Sequence, residues 1–404
     1  MAKPSADSGF DGSSRRAVLD AAPGPMHPRA RDTLLAAIDA GWADPRRLHA
    51  EARTARRLLD QARAVLADGL AVRPSEVAFA PDGPTAVRWM LDGLRYAARR
   101  RGERVVASAV EHSAVLVPGR HVADSTGDPT AFRTVPVDRT GRVDLQAWSA
   151  ALTRPGTVAA ALQHANGEVG TLQPLEEARA ACDAAGVPLA VDAQASLGRV
   201  PPPGALTAYD VLAGDAQSWG GPGGLGLVVL PERTRWLLPG APDPDGSLTG
   251  PTGHAPWVPL ALAAAEAWQQ TEAARDHDAA EAFALVEQIR TAAARVADVE
   301  VVGDPVERLP HVVTFSALYA DGEALVRELD RRGWAVGSGS ACTASTLEPS
   351  HVLAAMGALT HGNLRVTLPL ADVAPDRTAQ VGAFCSSIAE VVASVRAELG
   401  AQRL

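Results

Sequence analysis

Cys342 lies in a stretch whose composition suits a reactive thiol. The surrounding residues read "VGSGSACTASTLEPS", and their many Gly, Ser and Thr residues predict a flexible and accessible loop. The thiolate is the nucleophilic form of cysteine, so an accessible thiol near cationic groups can react at neutral pH. From this context alone, a reactive thiol and an inherited loop cysteine both remain open.

The other two cysteines have apolar neighbours. Cys182 lies in "LEEARAACDAAG" and Cys385 lies in "VGAFCSSIAEVV", so we expect both to be small buried side chains. Three cysteines in 404 residues is an odd and sparse count. It predicts neither a disulfide framework nor a zinc site, and we expect no metal centre.

Polar residues follow five of the predicted strands. They are Pro81-Asp82-Gly83, Glu111-His112, Asn166-Gly167, Asp192-Ala193-Gln194 and Asp215-Ala216-Gln217-Ser218. Ligands of parallel sheets bind at the carboxyl ends of the strands. The five segments are therefore expected to meet in one crevice. The last of them leads into "WGGPGGLGLVVL", a glycine turn before a strand, which is typical of a loop that approaches a cofactor closely.

The order of the predicted elements indicates an α/β protein. Residues 30–256 alternate strands with helices, which predicts a large domain with a mostly parallel sheet. A long helix is predicted from Trp257 to about Val296, followed by strand, helix, strand, loop, helix, strand and helix. We expect residues 17–29 and 257–404 to build a smaller α+β domain, and residues 1–16 to form a disordered tail.

Charge and hydropathy exclude several classes of partner. The net charge of −9 disfavours nucleic acid and anionic membrane surfaces, which both attract basic proteins. No long apolar run predicts a membrane-spanning helix, and the polar start lacks the apolar core of a signal peptide. These features predict a cytoplasmic protein.

Several segments of the sequence, in chain order, resemble the motifs of a known protein family. They are "VLDAAPGPMHP", "SAVEHSAVL", "HANGEVGTLQPLEE", "VDAQASLGR", the glycine loop, "SGSACTASTLEPSHVLAAMG" and "NLRVTL". Together they resemble the cysteine desulfurases of the class V aminotransferase family. The resemblance implies a homodimer with the fold of type I pyridoxal-phosphate (PLP) enzymes. It also implies that an active-site cysteine, here Cys342, receives sulfur from free cysteine as a persulfide.

Several family positions are retained. The resemblance places His112 on the pyridine ring, Asp192 on the ring nitrogen and Thr85 in the phosphate turn. It also places Arg365 on the substrate carboxylate, while Asn166 is a further candidate for substrate binding. Ordinary structural roles remain open for all of them: buried hydrogen bonds, a helix start, an ion pair and a turn.

Other positions of the cofactor site differ. By resemblance, Ser218 stands in the place of the Schiff-base lysine and Gln217 in that of a histidine. Asp215 replaces a phosphate-binding serine and Pro84 an alanine, and Gly167 and Ala195 stand where an asparagine and a glutamine approach the ring oxygen. A hydroxyl forms no imine. Proline donates no N–H to a phosphate, and a carboxylate repels it by about 1–4 kcal/mol.

Three functions follow as hypotheses. The first is a PLP-free protein that carries sulfur on Cys342, aided by His112, with a remnant pocket of Thr85, Asp192, Gln217 and Ser218. Its partner would be a true desulfurase or a sulfur acceptor, in a homodimer or heterodimer. The second is a desulfurase that binds PLP noncovalently. The third is an enzyme whose old pocket takes another small molecule.

Overall fold

The computed structural model describes residues 16–41, 43–204, 208–240, 250–339 and 349–400. The predicted tail, except Arg16, and the Cys342 loop lie outside these ranges. In chain order the strands are β1 (Ala17–Val18), β2 (Val77–Ala80), β3 (Arg104–Ser108), β4 (Phe132–Val135), β5 (Thr157–Gln163), β6 (Leu189–Asp192), β7 (Val211–Asp215), β8 (Gly226–Val229), β9 (Val299–Val302), β10 (Val312–Ala317), β11 (Trp334–Ala335) and β12 (Asn363–Thr367). The helices are α1 (Pro28–Asp39), α2 (Ala50–Gly69), α3 (Gly83–Ala98), α4 (Ser113–Thr126), α5 (Leu145–Leu152), α6 (Leu175–Ala185), α7 (Val258–Ala294), α8 (Gly322–Arg331), α9 (His351–Met356) and α10 (Arg377–Glu398).

A seven-stranded sheet carries the larger part of the chain. Its order is β2-β8-β7-β6-β5-β3-β4, and β8 is antiparallel to both of its neighbours while the remaining pairs are parallel. Strands β2, β5, β6 and β8 are buried along nearly their whole length, as expected when helices cover both faces of a parallel sheet. The structure confirms the predicted α/β fold with a mostly parallel sheet.

One hydrophobic core packs against the large sheet. A second core surrounds a three-stranded antiparallel sheet of order β12-β10-β9. Helix α7 joins the two cores, because its residues around Trp268 lie in the first and those around Ile289 in the second. Strand β1 pairs in parallel with β11, which brings the start of the described chain to the smaller sheet. The domain boundaries given above remain a prediction.

Helix α10 is long and apolar enough to cross a membrane, by length and composition alone. Its residues Val381, Phe384, Ile388, Val391, Val392 and Val395 nevertheless lie in the core around the smaller sheet. The sequence predicts no membrane-spanning helix, and the packing of α10 in this core agrees with that prediction. The apolar character of α10 has a structural explanation, since a core helix needs the same composition.

Arg377, at the start of α10, is 1% exposed and lies among acidic residues of α7. Its Nη1 is 2.8 Å from Asp278 Oδ1, and its Nη2 is 2.9 Å from Glu281 Oε2. Asp278 Oδ1 also accepts a hydrogen bond of 2.8 Å from the N–H of Ala371. This buried ion pair therefore fixes α10 against α7.

We expect Arg377→Met to lower the free energy of unfolding by about 3–5 kcal/mol, because it leaves the Asp278 carboxylate buried without its guanidinium. Urea denaturation measures the change. Arg327→Met, at an exposed position of α8, is the matched control and should shift stability by about 0.5 kcal/mol or less. Equal stabilities for the two variants would contradict the role given to the buried pair.

Candidate functional site

The predicted strand ends meet at one edge of the large sheet. Gly83 N donates to Asp215 Oδ2 over 2.9 Å, which connects the ends of β2 and β7. Gln163 N, at the end of β5, donates to Glu111 Oε1 over 2.9 Å, which connects β5 with the segment after β3. Asp192 ends β6, between β5 and β7. These strand ends therefore lie close together, and the crevice between them stays a prediction.

The N–H groups in the first turn of α3 are engaged within the protein. Besides the bond from Gly83 to Asp215, Thr85 N donates to Asp82 Oδ1 over 2.7 Å and Ala86 N donates to Asp82 O over 3.0 Å. Pro84 has no N–H to donate. A helix N-terminus ordinarily offers such groups to an anion, and here carboxylate and carbonyl oxygens of the chain accept them.

Asp215 is the residue that occupies this helix start. Its Oδ1 accepts a hydrogen bond of 2.9 Å from Gln217 N, while Oδ2 faces Gly83. The packing is close, since a Cβ atom on Gly83 would lie 2.5 Å from Asp215 Oδ2 and 2.4 Å from Gln194 Oε1. Burial raises the pKa of Asp215, its two backbone hydrogen bonds oppose that shift, and Asp82 and Asp192 add to it.

Asp192 is 5% exposed and is bonded by its neighbour Gln194. Its carboxylate accepts from Gln194 N over 2.9 Å and from Gln194 Nε2 over 3.0 and 3.2 Å. Burial raises the pKa of Asp192, and His112 opposes that shift. His112 itself is exposed and caps α4, with Nδ1 accepting from Ala114 N over 3.1 Å. His112 and Asp192 thus lie within electrostatic range of each other, and their roles at a cofactor stay a prediction.

Glu111 adds a buried carboxyl group that the sequence did not single out as titratable. It is fully buried, and its Oε2 has no hydrogen-bond partner among the described residues. Burial raises its pKa well above the usual value, and Asp192 raises it further. The only sequence signal was its place directly before His112 at a strand end.

Ser218 and Gln217 lie in a 3-10 turn, Ala216–Trp219, that follows β7. Ser218 Oγ donates to Asp215 O over 2.9 Å. Ser218 O accepts from Arg199 Nε over 2.9 Å, and burial lowers the pKa of Arg199 to about 10. The hydroxyl and the carbonyl of Ser218 thus both have partners within the protein.

Arg365 and Asn166 form the side of the site that faces the smaller sheet. Arg365 lies on β12, and its Nη2 is 3.5 Å from Asp20 Oδ1. Its guanidinium is also within electrostatic range of the Glu168 carboxyl group. Asn166 Oδ1 accepts from Glu168 N and Val169 N, each over 2.9 Å, and Asn166 Nδ2 donates to Val110 O over 3.1 Å. These bonds give Asn166 a structural role in the turn, and its role in substrate binding remains a prediction.

Cys342 lies outside the described residues, but both flanks of its loop border the site. On one side, Gly339 N donates to Asn363 Oδ1 over 2.6 Å. On the other side, His351 Nε2 lies 3.0 Å from Glu111 O. His351 is a site residue that sequence reasoning missed, although it stands in the quoted "SHVLAAMG" motif.

The other two cysteines, Cys182 and Cys385, lie within the described residues. Cys182 is buried, as predicted, whereas Cys385 is only half-buried. Burial raises the pKa of the Cys182 thiol to about 12. Among the residues that the structure describes, no group of three or more His, Cys, Asp or Glu side chains is arranged to hold a metal ion.

Comparison with known proteins places the chain in a family. The model of the class-V aminotransferases matches residues 19–242, which is more than half of the chain. The chain is 32% identical over 400 residues to the IscS-like cysteine desulfurase of Mycobacterium tuberculosis, covering 96% of this chain and all of the other. It belongs to the family of class-V aminotransferases and cysteine desulfurases.

Other members of the family support the same placement. The cysteine desulfurase IscS of Dictyoglomus turgidum is 29% identical over 364 residues, covering 88% of this chain and 90% of the relative. Among solved structures, a NifS-like protein superposes with a TM-score of 0.82 at 22% identity, covering 94% of this chain and 99% of that one. DndA from Streptomyces lividans superposes with a TM-score of 0.70 at 28% identity, covering 85% and 96%. The fold is therefore that of the PLP-dependent transferases.

The buried Glu111 makes stability depend on pH in a defined direction. Its pKa is raised in the folded state, so above the usual carboxyl range the native protein keeps a proton that the unfolded chain releases. The contribution of Glu111 to stability should therefore fall as pH rises above about 4.5. Glu111→Gln has no proton to release, so its stability relative to wild type should increase with pH. Urea denaturation at several pH values tests this, and a constant or decreasing difference would contradict it.

Proposed function

We propose that this family member carries sulfur as a persulfide on Cys342 and works without PLP. The observation that carries the proposal is the Asp215 carboxylate at the start of α3, 2.9 Å from Gly83 N. A helix start binds a phosphate through its free N–H donors and its positive potential. Here Asp82 and Asp215 accept the donors of the first turn, and Asp215 adds negative charge.

Two further features support the absence of an ordinary PLP site. Ser218, aligned by resemblance with the Schiff-base lysine, has a hydroxyl that forms no imine and donates to Asp215 O. Asp192, which would pair with the ring nitrogen, accepts three hydrogen bonds from Gln194. We infer that the described residues do not fit PLP, and no chemical step is assigned to it.

The proposed reaction is a transfer between thiols. The Cys342 thiolate attacks the outer sulfur of a persulfide on a donor, which is a partner protein or a small persulfide. A new S–S bond forms on Cys342, the S–S bond of the donor breaks, and the donor leaves as a thiolate. The same exchange toward an acceptor thiol returns Cys342 to its starting state, without a net oxidant.

The transfer can be measured directly. The protein is incubated with an active cysteine desulfurase and cysteine, separated from the donor, and mapped for persulfides by mass spectrometry. We expect the added sulfur on Cys342, because Cys182 is buried and burial raises the pKa of both Cys182 and Cys385. Cys342→Ser should lose the modification, whereas Cys385→Ser should keep it.

An unmodified Cys342, or equal labelling of Cys342→Ser and wild type, would contradict sulfur carriage. The second step is followed by adding a thiol acceptor, which should remove the label from Cys342 in a single exchange. A label that persists in excess acceptor would contradict transfer while leaving acceptance of sulfur intact.

A second candidate is a desulfurase that binds PLP noncovalently, and the names of the relatives favour it, since they are cysteine desulfurases. The retained His112 and Asp192 also suit it. Sulfide release from cysteine, with and without added PLP, separates the two. We expect no release above that of free PLP, because Ser218 supplies no amine to move the substrate proton, a loss of about 100-fold or more. Cysteine-dependent turnover at the level of an active desulfurase would favour the second candidate.

Restoring the amine alone should not restore the enzyme. Ser218→Lys supplies the missing group but leaves Asp215 and Pro84 at the start of α3. We expect this variant to release no more sulfide than wild type. Desulfurase activity in Ser218→Lys would show that the phosphate position still functions.

A further inference from the structure

An arginine-rich pocket lies at the edge of the large sheet away from the candidate site. Its volume is about 840 Å³, and six arginines line it: Arg99, Arg100, Arg101, Arg179, Arg233 and Arg235. Pro188 and Asp210, which precede β6 and β7, also line it. The candidate site lies at the opposite ends of the same strands, so the two sites share no residue.

The pocket carries excess positive charge. Its two acidic residues, Asp183 and Asp210, both pair with Arg179, at 2.5 and 2.6 Å. Arg100, Arg101 and Arg235 are exposed and form no ion pair with any described residue. The whole chain has a net charge of −9, so this concentration of arginine is a local feature.

Trp236 also lines the pocket and is held by contacts with α3. Trp236 Nε1 donates to Met90 O over 3.1 Å, and Trp236 packs so closely on Gly93 that a Cβ there would lie 2.0 Å from the indole. Arg99 stacks on the ring of Tyr96, with its guanidinium carbon 4.1 Å from the ring centre. The guanidinium of Arg99 is therefore held in place before any ligand binds.

We propose that this pocket binds a small oligophosphate. Guanidinium groups present paired N–H donors that match phosphate oxygens. The arginines come from three segments, the end of α3, α6 and the chain after β8, so a ligand with more than one anionic group is needed to reach them. The volume falls within the usual range for small-ligand pockets, about 300–1,000 Å³.

An acidic polypeptide is the main competing ligand. It would need an extended surface, whereas these arginines surround a single cavity of small-molecule size. The site is independent of sulfur chemistry at Cys342, so either proposal can fail while the other stands.

Calorimetric titration of the full chain with ATP, pyrophosphate and adenosine tests the proposal. We expect ATP and pyrophosphate to bind and adenosine not to bind, with affinity falling as salt is raised. The double variant Arg101→Gln/Arg235→Gln should weaken ATP binding at least tenfold. The matched control, Arg57→Gln/Arg327→Gln, removes the same charge from exposed positions on α2 and α8 and should leave the affinity unchanged.

Several results would overturn the proposal. One is the absence of measurable binding of ATP and pyrophosphate, and another is an equal loss of affinity in both double variants, which would indicate only a general charge effect. Binding of a poly-glutamate peptide in place of ATP would assign the pocket to an acidic polypeptide. Circular dichroism and thermal unfolding of the variants ensure that a loss of binding is not a loss of fold.

Discussion

The arrangement of the site depends on one hydrogen bond, from the N–H of Gly83 to the carboxylate of Asp215. It joins the first turn of α3 to the end of β7, and it requires a glycine, since a Cβ atom would collide with Asp215 and Gln194. The carboxylate places a negative charge of the protein where a helix start attracts an anion. Gln194, turned toward Asp192, satisfies the next carboxylate. In the proposed function, these two intramolecular contacts stand where a phosphate and a pyridine nitrogen would bind.

The turn that carries Ser218 is connected to the core around the smaller sheet through buried charged side chains. Arg199 holds the carbonyl of Ser218, and it lies within electrostatic range of Asp278 on α7. Asp278 in turn pairs with Arg377 at the start of α10. Because α7 runs through both cores, these contacts fix the Ser218 turn relative to strand β12, which carries Arg365. The described flanks of the Cys342 loop are held by Asn363, also on β12, and by Glu111, which follows β3.

The sequence predicted the elements that carry a strong local pattern. Buried strands such as β5 and β6 are continuous apolar runs, α7 is a long helical segment, and the polar residues after the strands indicated that the strand ends meet. The elements β4, α5, β9 and α1 were not predicted, because each is short and mixes polar with apolar residues. The hydrogen bonds that shape the site, that of Gly83 with Asp215 and the three at Asn166, join backbone and side chains in ways that residue types do not specify. The arginine pocket joins residues far apart in the chain, so only the fold brings it together.

Equilibrium dialysis with PLP tests the central claim most directly, by comparing the affinities of wild type and Asp215→Ser. The substitution removes the charge beside the phosphate position and frees Gly83 N–H, while Ser218, Pro84 and the Asp192–Gln194 pair stay as they are. If Asp215 excludes the cofactor, wild type should bind PLP at least about tenfold more weakly than Asp215→Ser, because a carboxylate repels a phosphate by about 1–4 kcal/mol. Tight retention of PLP by wild type, or equal affinities for the two proteins, would contradict the account.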